Sequence, residues 1–150
     1  MRLVGLLFGV ALALVLQMKV SVFGVSPDLT AVVAYYFGIK EGATRGIFFG
    51  SLIGIIEDSV SGVVLGPNLL GKALVGFFSS FMSGTLFRWT PLLGMVSIFV
   101  LTVLDGIVVV LSRTIFESVL FSPSRLGFVL FGQAVLNLSL GVFIRPRNVD

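Results

Sequence analysis

A ladder of small residues at four-residue spacing is the feature that most constrains this chain. Its members, referred to here as the glycine ladder, are Gly38, Gly42, Gly46, Gly50, Gly54, Gly62 and Gly66. Asp58 stands where another glycine would fall, directly after Glu57. In a soluble helix each glycine costs about 1 kcal/mol relative to alanine, whereas in lipid small residues at this spacing let helix backbones approach closely. The ladder therefore predicts close packing of membrane helices.

Composition supports a membrane environment. Apolar residues make up 57% of the chain and charged residues only 11%, and the mean hydropathy is +1.14. That leaves too little polar surface for a soluble globule. The 150 residues have room for about six spans of roughly 20 residues each. We therefore expect an all-α, polytopic transmembrane bundle of six spans that forms one domain over residues 1–150.

Missing residue types narrow the chemistry. The chain contains no cysteine and no histidine, which removes disulfides, thiolate metal sites and the commonest proton shuttle. The net charge of +3 is spread over the loops, as expected for a protein facing an anionic membrane surface rather than nucleic acid. We expect no enzymatic activity, no cofactor, no metal and no nucleic-acid partner.

Apolar runs and turn signals predict where the spans lie. We expect the first apolar run to be a membrane span rather than a secretory signal peptide, because five further apolar segments follow it. At the second span, Ser26 is the expected N-cap, with Pro27 at the first helical position and Asp28 favoured by the helix dipole. The spans are expected at 3–23, 27–39, 43 to the Glu57-Asp58 pair, 69–87, 91–112 and 126–144.

Basic residues indicate the orientation. With both termini in the cytoplasm, six basic residues lie inside, namely Arg2, Lys40, Arg45, Arg88, Arg145 and Arg147. Four lie outside, namely Lys19, Lys72, Arg113 and Arg125. The excess inside favours this orientation, because cytoplasmic loops of membrane proteins are enriched in lysine and arginine.

Small residues form two candidate packing surfaces. The helix-packing seam of spans three and four is expected to contain Gly46, Gly50, Gly54, Gly62, Gly66, Gly76 and Gly84. In span one, Gly5, Gly9 and Ala13 form a second stripe, which either packs against another helix of the chain or receives a partner's helix.

Polar residues within apolar segments are the candidate functional groups, because charge is costly in a membrane. Neighbours on a helix point about 100° apart, so Glu57 and Asp58 do not suit a single acid/base or cation site. We expect the two to be structural anchors that tie span three to Lys72 and to backbone N–H groups of the glycine turn, with Asp58 held by both. Asp105 is expected to hydrogen-bond Gln133 and join spans five and six, the alternative being a transport or proton-relay role.

One run of residues resembles a known family. It consists of Gly46, Gly50 and Gly54, then Glu57-Asp58 and Gly62, then Leu65-Gly66-Pro67-Asn68-Leu69, preceded by Ser26-Pro27-Asp28-Leu29 before a short second span. In order and spacing this run resembles the rod shape-determining protein MreD family. The resemblance covers about residues 26–84, with hydropathy alone supporting the flanks.

The resemblance implies a non-enzymatic protein of the bacterial inner membrane that takes part in cell elongation and peptidoglycan synthesis. Its implied partners are MreC, the MreB filament, and the synthase pair RodA and penicillin-binding protein 2. It also implies a helical arrangement similar to the substrate-binding S components of energy-coupling-factor vitamin transporters. Such an S component is the alternative function, and the stripe of Gly5, Gly9 and Ala13 is compatible with it.

Overall fold

The computed structural model describes residues 2–62, 64–82, 88–118 and 120–146. These residues form six helices: α1 (Arg2–Lys19), α2 (Leu29–Glu41), α3 (Ala43–Ser61), α4 (Pro67–Ser80), α5 (Pro91–Phe116) and α6 (Pro123–Gly141). Within this part of the chain the only β pairing is an isolated bridge between Val22 and Val25. The predicted all-α fold is therefore confirmed for the described residues.

Three helices begin with proline at the first helical position, namely Pro67, Pro91 and Pro123. Proline suits this position because its φ is already helical and its missing N–H would have no partner within the helix. The start at Pro123 puts α6 three residues ahead of its expected start. The C-terminal end of α5 lies at Phe116, beyond the expected Ser112, because neither glycine nor proline interrupts the chain there.

The start of α2 corrects the expected N-cap. Asp28, rather than Ser26, is the N-cap, and its Oδ1 accepts a hydrogen bond from the backbone N–H of Ala31 at 2.9 Å. Leu29 is the first helical residue, so Pro27 lies before the helix. A carboxylate at this position also gains from the positive end of the helix dipole. The cap leaves the second oxygen, Oδ2, available to the interior of the bundle.

Helix α4 lies at the centre of the bundle. It packs against α2, α3 and α5, while α6 packs mainly on α5 and α1 mainly on α2. Eight of its 14 residues are buried, and they include Lys72, which has no exposed surface. The central helix therefore carries a charged side chain into the interior.

The contact between α3 and α4 is made through backbones. A Cβ added at Gly46 would overlap the carbonyl oxygen of Gly76, and one added at Gly50 would overlap that of Lys72. A Cβ at Gly54 would likewise meet the Asn68 carbonyl group. Only glycine permits this separation, since any side chain would force the helices apart. The structure thus places these four glycines of the expected seam along one contact.

Two further members of the expected seam lie elsewhere, which corrects their assignment. Gly62 is the C-cap of α3 with φ of 65°, and Gly66 is the N-cap of α4 with φ of 143°. A Cβ added at either would meet nothing within 4 Å. These glycines are needed for positive φ in the turn rather than for helix contact. Gly84 lies outside the described residues.

One helix of the described residues is long and apolar enough to cross a bilayer, namely α5. Its 26 residues extend about 39 Å, more than the hydrocarbon thickness of about 30 Å. Helices α2 and α4, of 13 and 14 residues, reach only about 20 Å each. Large apolar side chains are exposed on several helices, including Phe8, Phe48, Leu92, Ile115 and Phe128. Such a surface is typical of a protein whose exterior contacts lipid.

Candidate functional site

The centre of the bundle holds one buried ammonium group among three carboxylates. Lys72 Nζ lies 2.5 Å from Asp105 Oδ2, 3.0 Å from Asp28 Oδ2 and 3.4 Å from Glu57 Oε2. Lys72 comes from α4, Asp105 from α5, Glu57 from α3 and Asp28 from the start of α2. Four segments of the chain therefore meet at one charge. We call these four residues the Lys72 cluster.

The charges of the Lys72 cluster do not cancel. With every group ionised, three carboxylates surround one ammonium, which leaves a net charge of −2. Taking charges out of water costs several kcal/mol per ion, and this cost is recovered only with close partners and further hydrogen bonds. The two surplus carboxylates therefore make the hydrogen bonds around the cluster important.

Polar side chains from further helices support the cluster. The Thr30 hydroxyl lies 2.8 Å from Asp28 Oδ1 and 2.7 Å from Glu57 Oε2, so its single proton is shared between them. Gln17 Nε2 donates to Glu57 Oε1 at 3.5 Å. Asn137 Nδ2 donates to the Asp28 carbonyl oxygen at 2.9 Å. Through Gln17 and Asn137, α1 and α6 are also connected to the cluster.

Asp58 forms a separate site, which corrects its expected pairing with Lys72. Its carboxylate accepts hydrogen bonds from the backbone N–H groups of Gly66 at 2.9 Å, Asn68 at 3.1 Å and Leu69 at 3.2 Å. The Asn68 amide donates to it at 2.8 Å. These donors belong to the first turn of α4, where unpaired N–H groups and the dipole favour an anion. Of the two expected partners, only the turn N–H groups hold Asp58.

The expected hydrogen bond between Asp105 and Gln133 is not formed. Asp105 instead contacts Lys72, which is a stronger partner because its charge is opposite. Gly71 makes room for this pair, because a Cβ at that position would overlap Asp105 Oδ1. Gln133 is half-buried on the wall of a cavity beside the cluster.

That cavity has a volume of about 540 Å³ and lies at one end of the bundle. Its wall is built from the C-terminal parts of α1, α3 and α5 together with α6. The polar residues that line it include Gln17, Asp28, Glu57, Asp105, Arg113 and Gln133. We call it the polar cavity. It brings the Lys72 cluster into contact with a space large enough for a small molecule.

The stripe of span one lies at a second concave surface. Gly5 is exposed, Gly9 is half-buried and Ala13 is 6% exposed. Gly5 and Gly9 line a groove of about 330 Å³ whose other walls are Val32, Val33, Tyr36, Phe37 and Ile144. The stripe is therefore divided, with Ala13 packed within the chain and the two glycines facing open space. We call this surface the α1–α2 groove.

Sequence reasoning missed one member of the Lys72 cluster and two of the residues that support it. Asp28 was assigned only to a helix start, and Thr30 and Asn137 were not singled out. The available signal was Lys72 itself, since a lysine in an apolar helix requires carboxylate partners. Which carboxylates supply them depends on how the helices pack, and the sequence pattern does not contain that information.

The centre of the Lys72 cluster is filled by the cluster's own cation. Among the described residues no group of three or more acidic side chains is placed to hold a metal ion. The Lys72 ammonium occupies the position between Asp28, Glu57 and Asp105 where a cation would sit. The arrangement binds helices together by charge.

A helical bundle with an apolar exterior and a central ion cluster defines the class as a helical membrane protein. Residues 1–145 match the family model of the rod shape-determining protein MreD, and the chain belongs to that family. The family indicated by the sequence is thus confirmed. No curated protein and no solved structure matches the chain. Membership supports a role in rod-shape determination, and the family is one of shape-determining proteins rather than a known enzyme family.

Proposed function

We propose that the protein is a non-enzymatic scaffold or regulatory subunit of the bacterial cell-elongation machinery, and that it binds MreC in the inner membrane. Family membership supports the role in shape determination. In this proposal MreB and the RodA/penicillin-binding protein 2 synthase are further partners, reached through the same assembly. The enclosure of Lys72 by its counter-ions is consistent with a structural use of the charged residues.

The α1–α2 groove is the observation that carries this proposal. A Cβ added at Gly5 or Gly9 would meet nothing within 4 Å, so the backbone of α1 is open to a close neighbour. Tyr36 and Phe37 form an aromatic wall beside it. Helices associate in lipid mainly by close van der Waals packing, which small residues permit. The transmembrane helix of MreC, a bitopic coiled-coil protein, is the occupant that we propose.

Co-purification tests the groove. A Gly9→Leu variant would fill it, and we expect recovery of MreC from solubilised membranes to fall about tenfold, equivalent to about 1.4 kcal/mol of binding free energy. Ala11→Leu is the matched control, because Ala11 is exposed on the same helix and points about 200° away from Gly9. Both variants should elute as folded protein in gel filtration. Equal recovery of MreC with both would show that the groove is not the binding surface.

The proposed orientation has both termini in the cytoplasm. Lys72 is buried in the bundle and therefore does not count as a basic residue of the outer loops. The comparison becomes six basic residues inside against three outside, which strengthens the inside preference. The polar cavity then opens toward the outer face, where α1, α3 and α5 end.

The S component of a vitamin transporter remains the second candidate, and the polar cavity favours it. The cavity volume of about 540 Å³ is sufficient for a small molecule such as riboflavin, thiamine or biotin. Against this candidate, the described part of the wall offers a ring compound one aromatic residue, Phe121. Titration of the purified chain with these three vitamins separates the candidates. Saturable binding of one of them would support the transport function, and absence of binding would favour the scaffold function.

A further inference from the structure

The polar cavity contains most of the unmatched buried polar atoms of the described structure. Four buried side-chain atoms lack a hydrogen-bond partner, and three of them belong to residues that line this cavity: Gln17 Oε1, Asp105 Oδ1 and Arg113 Nε. The fourth, Asn137 Oδ1, lies elsewhere. Buried polar groups without partners are rare, because each one costs about 1–3 kcal/mol. Their concentration at one cavity indicates a ligand with matching groups.

The unmatched atoms of the cavity wall include both hydrogen-bond acceptors and a donor. Asp105 Oδ1 and Gln17 Oε1 are acceptor atoms, and they lie at the Lys72 cluster with its surplus negative charge. Arg113 Nε is a donor, and the guanidinium forms no ion pair or hydrogen bond with the described residues. Eight residues separate Asp105 from Arg113 on α5, a distance of about 12 Å along the helix. The complementary ligand carries an ammonium group at one end and an anionic group at the other.

An adjoining cavity is apolar. It has a volume of about 430 Å³, is lined by Leu120, Leu126 and Arg125 among others, and shares Val110, Phe121, Val129 and Leu130 with the polar cavity. The two spaces are therefore adjacent along these four residues. Arg125 adds a second cation beside the apolar surface. A ligand that fits both spaces has a zwitterionic head and a hydrocarbon chain.

We propose that the polar cavity binds the headgroup of a phospholipid that carries a primary ammonium, as phosphatidylethanolamine does, with an acyl chain in the adjoining apolar cavity. The ammonium donates hydrogen bonds to Asp105 Oδ1 and Gln17 Oε1 and offsets one of the two surplus negative charges of the cluster. The phosphate accepts from Arg113. This site does not depend on MreC binding at the α1–α2 groove, which lies between other residues.

Lipid selectivity tests the proposal. Delipidated full-length chain in detergent is mixed with phosphatidylethanolamine, phosphatidylcholine or phosphatidylglycerol, and bound lipid is counted by native mass spectrometry. Phosphatidylethanolamine should bind about tenfold or more tightly than phosphatidylcholine, because a quaternary ammonium has no N–H to donate and a hydrogen bond to a charged group is lost. Phosphatidylglycerol should also bind weakly, because it lacks the ammonium. Binding that is independent of headgroup would overturn the proposal.

A charge variant locates the lipid. Arg113→Gln removes the phosphate partner without breaking a hydrogen bond or ion pair among the described residues, and we expect phosphatidylethanolamine to bind about tenfold more weakly. Arg145→Gln is the matched control, since Arg145 is exposed beyond the other end of α6. Unchanged affinity for phosphatidylethanolamine in Arg113→Gln would exclude the polar cavity.

A soluble headgroup distinguishes a lipid from a free metabolite. Phosphoethanolamine at millimolar concentration should displace bound phosphatidylethanolamine from the wild-type chain, but with much lower affinity than the lipid, because it makes no contact in the apolar cavity. Equal affinity of phosphoethanolamine and the lipid would overturn the acyl-chain part of the proposal.

Discussion

At the scale of single residues, two adjacent carboxylates have different surroundings. Glu57 points into the Lys72 cluster, whereas Asp58 points to the first turn of α4. The angle of about 100° between neighbouring helical residues explains why they cannot share one partner. Asp58 fixes the turn between α3 and α4, and Glu57 belongs to the interior. One dipeptide thus contributes to two sites with separate energetics.

Removal of the buried ammonium should be the most damaging single change. Lys72→Met leaves Asp28, Glu57 and Asp105 facing one another without a counter-ion, and we expect a loss of about 3–5 kcal/mol in the free energy of unfolding. Thermal unfolding in detergent, followed by the fluorescence of Trp89, the single tryptophan, measures the effect.

Lys40→Met is the control for loss of a lysine. Lys40 lies in the last turn of α2 and belongs to no ion pair of the cluster, so the variant should unfold within about 0.5 kcal/mol of wild type. If Lys72→Met were equally mild, the carboxylates would have to be neutral or solvated in the native bundle.

At the scale of helices, close backbone contact explains how a short α4 can occupy the centre. Gly38 of α2 and Gly46 of α3 both face Gly76, where a Cβ on either would overlap its carbonyl oxygen. Three helices therefore meet at one glycine. Close approach of the backbones gives helices of 13 and 14 residues extensive van der Waals contact along their short length.

Alanine substitution should separate packing glycines from other helical glycines. Gly50→Ala places a methyl group against the Lys72 carbonyl, and we expect it to destabilise the chain by about 1–3 kcal/mol. Gly127→Ala is the control, because Gly127 lies within α6 with nothing within 4 Å of an added Cβ. That variant should be stabilised by up to about 1 kcal/mol, since alanine favours helix. Equal effects in chemical denaturation would contradict a backbone contact between α3 and α4.

At the scale of the whole molecule, the charge distribution gives the bundle two distinct ends. The polar cavity opens at the end where α1, α3 and α5 finish, and Arg145 lies beyond the opposite end of α6. The proposed orientation puts the cavity on the outer face. In this orientation the lipid that we propose for the polar cavity comes from the outer leaflet.

Cysteine labelling tests this orientation, because the chain contains no cysteine of its own. In intact spheroplasts a membrane-impermeant maleimide should label Ser122→Cys, in the exposed connection before α6. Arg145→Cys should be labelled only after the membrane is permeabilised. The reverse pattern would invert the orientation and move the polar cavity to the cytoplasmic side.

The sequence by itself determined the class of fold, the approximate position of each helix and the family. These follow from local properties: apolar runs, prolines at Pro67, Pro91 and Pro123, and the spacing of Gly46, Gly50 and Gly54. Each depends on residues close together in the chain, so a pattern is sufficient to detect it.

Only the tertiary structure decided which charges meet. The sequence predicts that Lys72 holds Glu57 and Asp58, yet of these two it contacts Glu57 alone. Its other partners are Asp28 and Asp105, which come from two further segments. Asp105 was expected to bond Gln133, and Gln133 instead lines the polar cavity. The physical reason is that ion pairing depends on distances of a few ångströms between helices, and these distances are set by backbone packing at glycines such as Gly50 and Gly71.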